Sequence, residues 1–129
     1  MTSGTSRKTA RRQALFLLYQ WDLTGQELAS LFEGDPDDFA RSLAEAVAAR
    51  AQALDVRISA ASLDWPADRL GTLERNILRI GVYELEEETV PREVAINEAV
   101  VLAKRYATED AARLVNGILA TVAREEEAA

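Results

Sequence analysis

The sequence contains no cysteine and no histidine among its 129 residues. Without cysteine there can be no disulfide, no thiolate nucleophile and no cysteine-based zinc site. Without histidine, the commonest general base and metal ligand is also missing. These two absences exclude much of ordinary catalytic chemistry, and we expect neither a metal nor another cofactor.

Long apolar runs are also missing. Charged residues interrupt every run before it reaches the roughly 20 residues that a membrane-spanning helix needs. The polar, basic residues 1–12 lack the apolar centre of a secretory signal. We therefore expect a cytoplasmic protein that does not associate with membranes. The length and the lack of a linker predict one domain over residues 1–129.

Acidic residues are distributed unevenly and are missing from the start of the chain. The net charge is −7, which by itself argues against a nucleic-acid ligand. Residues 1–21, however, contain no Asp or Glu, and Arg7, Lys8, Arg11 and Arg12 lie together there. This asymmetry predicts a localised basic interaction surface on an otherwise acidic protein.

Glycine and proline are few, and apolar residues recur at spacings of three and four, so we predict an all-α fold of six or seven helices. The first helix should run from about Ser6 to Leu23 and end at Gly25, with Trp21 in the core. A short helical turn is predicted over residues 27–32. Further helix starts are predicted at Asp35 (as N-cap of a helix that reaches about Val56), Pro66, Thr72, Pro91 and Thr108.

Some polar and small residues interrupt these helical patterns. Asn97 and Asn116 fall in apolar stretches, which favours hydrogen bonds between helices. Gly81 and Gly117 each cost about 1 kcal/mol relative to alanine in a helix. Close approach of a neighbouring helix or of a ligand backbone would explain both glycines.

On the first helix, a period of 3.6 places Lys8, Arg12, Leu15 and Tyr19 on one stripe. Cations followed by an aromatic ring suit single-stranded RNA, because the cations neutralise phosphates and the ring stacks on a base. The alternative is a flexible basic terminus with a half-buried tyrosine, and composition alone favours that alternative.

A second cluster is acidic. Glu84, Glu86, Glu87 and Glu88 could form a metal site or an acid and base pair, but nothing in the sequence supplies the histidine or the apolar setting that would support it. We interpret these residues as a solvated helix end.

Four segments of the chain carry recognisable motifs: RRQALFLLYQW (residues 11–21), RLGTLERNILRIGVYEL (residues 69–85), VPREVAINEAVVLAKRY (residues 90–106) and ATEDAARLVNGIL (residues 107–119). The most specific motifs are the PxxVAINEAVxLAK and VNG elements, residues 91–104 and 115–117. In this order the four segments resemble the NusB family, and they cover nearly the whole chain except about residues 28–62.

The resemblance implies a compact helical domain of two packed three-helix subdomains and a non-catalytic role in transcription antitermination. In that family the protein binds the boxA element of nascent ribosomal RNA together with NusE, a small-subunit ribosomal protein, within the RNA polymerase antitermination complex. Some members also form homodimers, and the sequence leaves this open.

The resemblance also implies site residues. Those matching the RNA-binding surface are Arg7, Lys8, Arg11, Arg12, Tyr19, Lys104, Tyr106 and Asp110. Those matching the NusE-binding side are Glu74 and Arg79.

This chain departs from the family pattern in two places. Thr9 and Ala10 break the arginine run, and Leu114 stands where relatives commonly have phenylalanine. We therefore expect weak RNA affinity without NusE. Two other functions are considered: the RNA-binding domain of a ribosomal RNA methyltransferase, and a helical scaffold that binds only protein.

Overall fold

The computed structural model describes residues 6–32, 34, 37–62 and 67–129, with only the backbone of residue 68. Over these residues it contains six α-helices, two 3₁₀ turns and no strand, which confirms the all-α prediction. The 3₁₀ turns are Leu28–Leu31 and Ala67–Arg69. The α-helices are α1 (Arg7–Thr24), α2 (Asp38–Ala49), α3 (Ala51–Ala61), α4 (Thr72–Glu87), α5 (Arg92–Tyr106) and α6 (Glu109–Ala128).

Local capping signals define several helix ends as predicted. Gly25 ends α1 with φ 75°, a left-handed conformation that favours glycine, and its N–H donates to the carbonyl of Trp21 at 3.0 Å. Pro91 directly precedes α5. Thr108 caps α6, since its Oγ1 accepts from the N–H of Ala111 at 2.9 Å.

The start of α2 differs from the prediction. Asp35 and Pro36, which were to cap and open this helix, lie outside the described residues. The N-cap is Asp37, whose Oδ2 accepts from the N–H groups of Phe39 at 2.9 Å and Ala40 at 3.1 Å. The helix therefore begins later than expected, because the second acid of the run DPDD binds the free amides.

The start of α4 differs as well. Pro66 lies outside the described residues, and Thr72 is the first helical residue and not the cap. Gly71 is the N-cap and offers no side chain to the free amides. The first turn instead carries Glu74, whose charge suits the positive end of the helix dipole.

The helix predicted to reach about Val56 is broken at Arg50, which separates α2 from α3. No glycine or proline marks the break. The side chain of Arg50 forms an ion pair with Glu87 at 2.7 Å, and its guanidinium lies 5.3 Å from the ring centre of Tyr83. The bend lets α2 pack on α1, while α3 packs on α4 and α6.

The helices form two packed three-helix groups, α1–α3 and α4–α6, with α4 in contact with all the others. One hydrophobic core joins the groups, and its fully buried side chains come from α1, α3, α4 and α6 among others. Trp21, predicted in the core, lies half-buried at its edge. In the described part of the chain, no helix is long and apolar enough to span a membrane.

The four residues that interrupt the helical patterns behave differently from one another. A Cβ added at Gly81 would lie 2.7 Å from Leu119 Cδ1, so close approach of α6 explains this glycine. A Cβ at Gly117 would meet nothing within 4 Å, so no neighbouring helix explains the second. Asn97 and Asn116 are exposed, where water satisfies their amides. The predicted interhelical hydrogen bonds are therefore wrong.

The two glycines give a matched pair of substitutions. Gly117→Ala should stabilise the protein by about 0.5–1 kcal/mol, because alanine favours the helix and meets no neighbour. Gly81→Ala gains the same propensity, but overpacking against Leu119 should cost about 1–3 kcal/mol. Urea denaturation should therefore give G117A the higher free energy of unfolding by about 1–3 kcal/mol. Equal gains would mean that α4 and α6 separate without cost.

Candidate nucleic-acid interface

The basic segment forms the first two turns of α1. Ser6 caps the helix by accepting from the N–H of Thr9 at 3.1 Å. Arg7 and Lys8 are exposed, whereas Ala10 is 1% and Arg11 3% exposed. Ala10, which interrupts the arginine run, faces the protein interior, where a small apolar residue fits.

Arg11 lies inside the protein and not on the RNA-accessible surface that its place in the basic segment predicted. Its Nε donates to Glu84 Oε1 at 3.0 Å, and its Nη2 donates to Oε2 at 2.8 Å. Its Nη1 lies 3.7 Å from Glu98. A guanidinium occupied in this way by two carboxylates is not available to a phosphate, so we reassign Arg11 to holding α1 against α4 and α5.

The other cations of the segment are accessible. Lys8 extends towards Glu98 at 3.7 Å with its side chain 73% exposed. The guanidinium of Arg7 lies 4.4 Å from the ring centre of Phe39 on α2, a cation–π arrangement. Arg12 is half-buried, one turn from Lys8. Three of the four predicted cations thus remain candidates for contacts with phosphates.

The aromatic part of the predicted stripe changes. Leu15 is fully buried and Tyr19 half-buried. The exposed ring on this helix is Phe16, at 42% exposure. Phe16 contacts Tyr106 edge to face, with ring centres 5.1 Å apart and planes at 77°. This contact brings α1 to the end of α5.

The predicted residues at the turn between α5 and α6 are all accessible. Lys104 and Asp110 are exposed, and Tyr106 is half-buried. Arg105 lies over the Tyr106 ring at 5.4 Å, and Asp110 is paired with Arg113 on the next turn of α6. The cations at the end of α5 also suit the negative end of its dipole.

The two predicted partner-binding residues on α4 are not equivalent. Glu74 is half-buried in the first turn, with its carboxylate folded back towards Gly71. Arg79 is only 5% exposed and lies within the protein. Glu74 can therefore reach a partner. Arg79 is not accessible, so the prediction that it contacts NusE directly is wrong.

Arg79 belongs to a buried polar network that joins α1, α3 and α4. It donates to both carboxylate oxygens of Asp55, at 2.7 and 2.6 Å, and to Asp22 at 3.0 Å. Burial alone would lower the pKa of Arg79, but the hydrogen bonds and charge of these two aspartates outweigh it and raise the pKa above its ordinary value. The guanidinium stays charged, and its role is to hold the helices together.

The acidic cluster of α4 is in part the solvated helix end that was predicted: Glu87 and Glu88 are exposed, whereas Glu86 is half-buried and Glu84 buried. Glu84 is buried against Arg11, Glu86 binds Arg57 at 3.0 Å, and Glu87 binds Arg50. Within the described residues, no cluster of three or more acidic side chains is arranged to hold a metal ion.

Sequence reasoning missed three residues of this surface: Phe16, Glu98 and Arg105. Arg105 stands between two predicted residues and could have been included with them. Phe16 could have been found by noting that Ala14 and Leu18 place the buried face of α1 next to Leu15, which leaves Phe16 outside. Nothing in the local sequence marks Glu98 as the partner of Lys8.

Comparisons with known proteins agree with this picture. The model of the NusB family matches residues 8–124. Transcription antitermination protein NusB of Rubrobacter xylanophilus is 40% identical, over 88% of this chain and 87% of that protein. NusB of T. maritima superimposes with a TM-score of 0.84 at 32% identity, over 97% of this chain and 94% of that one. A crystal structure of antitermination factors NusB and NusE in complex with dsRNA matches with a TM-score of 0.80 at 31% identity, over 92% and 96%.

Stability measurements test the reassignment of Arg11. Arg11→Ala should lower the free energy of unfolding by about 3–5 kcal/mol, because it leaves Glu84 buried without its partner. Arg12→Ala, one residue along the same helix, should change it by no more than about 0.5 kcal/mol. Urea melts of both variants make the comparison. An R11A protein as stable as the wild type would place Arg11 at the surface after all.

Proposed function

Because this chain belongs to the NusB family, we propose that it is a transcription antitermination factor that binds the boxA element of nascent ribosomal RNA together with the ribosomal protein NusE. In this role it promotes processive transcription of ribosomal RNA operons within the RNA polymerase antitermination complex. The relative seen with NusE and dsRNA, 31% identical, supports the choice of partner and ligand.

The observation that carries the proposal is the side-by-side packing of α1 and α5. Lys8 lies 3.7 Å from Glu98, and Phe16 contacts Tyr106 two turns further along both helices. The two helices therefore lie side by side and point the same way. Cations thereby lie beside a pair of aromatic rings on one edge of an acidic protein: Arg12 stands one turn before Phe16 on α1, and Arg105 lies over the Tyr106 ring.

This edge has the chemistry of an RNA-binding surface. Accessible cations attract the phosphates, and rings offer stacking surfaces to unpaired bases. We propose a binding role without a catalytic step, because the nearest buried carboxylates, Glu84 and Glu98, are held by Arg11 and Lys8. Among the RNA contacts we keep Arg7, Lys8, Arg12, Tyr19, Lys104, Tyr106 and Asp110.

For the NusE side, we propose that Glu74 makes a direct contact and that Arg79 acts by positioning α4. Glu74 lies in the first turn of the central helix, where its carboxylate is partly accessible. Arg79 fixes that helix to α1 and α3 through Asp22 and Asp55.

The proposal also covers organisation and location. A core shared by all six helices supports one functional domain over residues 1–129. Because the RNA is captured as it leaves the polymerase, we propose that the protein acts in the cytoplasm. The free protein is a monomer or a homodimer, and light scattering of the free protein distinguishes the two.

A salt series tests the RNA surface. Log affinity for single-stranded boxA RNA should fall linearly with log salt concentration, with a slope of about −0.7 per phosphate contact. Lys8→Ala and Arg12→Ala should each make the slope shallower by about 0.7. Arg69→Ala is the control, since Arg69 is exposed near the opposite end of α1, about 20 Å from Lys8.

The RNA sequence distinguishes specific from general binding. The same titrations are made with a shuffled RNA, with and without NusE. Equal affinity for both RNAs under all conditions would contradict the proposal and leave a general RNA-binding protein. Binding of NusE with no RNA binding at any salt concentration would favour the protein scaffold instead.

Calorimetry with NusE tests the roles on α4. Glu74→Ala should weaken NusE binding by about 1 kcal/mol or more and leave the free energy of unfolding within about 0.5 kcal/mol of the wild type. Arg79→Ala should instead cost about 3–5 kcal/mol of folding stability, because it leaves Asp55 without its cation and Asp22 with Arg75 alone. An E74A protein that binds NusE normally would remove Glu74 from the interface.

A further inference from the structure

The most exposed aromatic side chain of α1 keeps a large part of its ring in water, although it contacts Tyr106. Phe16 is 42% exposed, although its neighbours Leu15 and Leu18 are fully buried. It stands one helical turn after Arg12, on the outer side of the helix. A phenyl ring left in water next to a cation is the combination that binds a nucleobase beside its phosphate.

The ring of Phe16 is also held in place. Tyr106 meets it edge to face, at 5.1 Å between ring centres. Such pairs are worth about 0.5–1.5 kcal/mol beyond the area that they bury. Tyr106 is itself covered by the guanidinium of Arg105 and is half-buried. Phe16 is therefore the more accessible ring of the pair.

We propose that Phe16 stacks on one unpaired base of the bound RNA, and that Tyr106 is the positioning residue that fixes the angle of the Phe16 ring. This inference rests on the proposed function and adds a specific residue to it. Arg12, one turn away, lies where it can bind the adjoining phosphate. Stacking requires a base with a free face, so the ligand at this point is single-stranded and not duplex RNA.

The position of Leu114 supports the same assignment. In this chain, position 114, where the resemblance predicts a ring, carries a leucine that packs half-buried against the core. Leucine offers no π-face to a base. Phe16 and Tyr106 supply the two rings that the described part of this edge presents together.

The test compares variants of the full chain in titrations with NusE and single-stranded boxA RNA. Phe16→Leu keeps an apolar side chain but removes the ring, and it should weaken RNA binding by roughly 5- to 150-fold. Phe16→Trp keeps a stacking surface and should bind within about threefold of the wild type. Leu23→Ala is the control, because Leu23 is 59% exposed further along the same helix.

The base that stacks is found by placing a single abasic nucleotide at each position of the RNA in turn. At one position the wild-type protein should lose affinity, whereas F16L should bind the abasic and intact RNAs about equally. On duplex RNA, F16L and wild type should bind alike. An equal loss on duplex RNA, or an abasic penalty that F16L leaves unchanged at every position, would overturn the stacking role.

These outcomes separate this inference from the proposed function. If the wild type prefers boxA over shuffled RNA while F16L binds like the wild type, the stacking role is wrong and the antitermination role stands. If the wild type shows no preference, the proposed function fails, and the stacking role fails with it. Thermal melts of F16L should show a small loss of stability, about the 0.5–1.5 kcal/mol of the pair with Tyr106, so that a larger loss of RNA affinity reports the stacking itself.

Discussion

The buried ion pair between Arg11 and Glu84 is the constraint on which the nucleic-acid surface depends. Removing two charges from water costs several kcal/mol for each ion, and the cost is offset only by good geometry and by further hydrogen bonds. Here the pair is bidentate, and Glu98 approaches the same guanidinium. The pair fixes the rotation of α1 about its axis. With Arg11 pointing inward, Lys8 and Arg12 flank the buried face of α1, where Lys8 is exposed and Arg12 half-buried.

A second network fastens the other end of α1. One carboxylate oxygen of Asp22 accepts from Arg75 at 2.9 Å, from Asn76 at 3.0 Å and from Arg79 at 3.0 Å. Asp22 and Arg11 lie three helical turns apart, so α1 is tied to α4 near both of its ends. Small and apolar residues pack between the two polar networks. The outer face of α1 is thereby left rigid and free to carry cations and a ring.

The sequence predicted the features that local chemistry decides. Gly25 and Thr108 act through their own backbone and side chain, so the helix ends that they mark were correct. The break at Arg50 was missed, because no glycine or proline marks it and because α2 and α3 pack on helices that lie far away along the chain. Arg11 was misplaced for a similar reason: an arginine in a basic run is taken for a surface residue unless its distant carboxylate is known. The predicted surface stripe of α1 contained Leu15, whereas the structure buries Leu15 and exposes its neighbour Phe16.

The acidity of the chain also has a structural origin that bears on RNA affinity. Most of the arginines are occupied in holding carboxylates, and Arg57 alone contacts Glu86, Glu125 and Glu126. Burial would lower the pKa of Arg57, but these three carboxylates raise the pKa above its ordinary value. Arg57 therefore stays charged, and its charge is already paired within the protein. Few cations are therefore left for phosphates. A surface with so few charges must gain affinity from stacking and from a partner protein, because neither contribution is screened by salt in the way that phosphate contacts are. The net charge of −7 is then compatible with the proposed RNA binding at the edge where α1 and α5 meet.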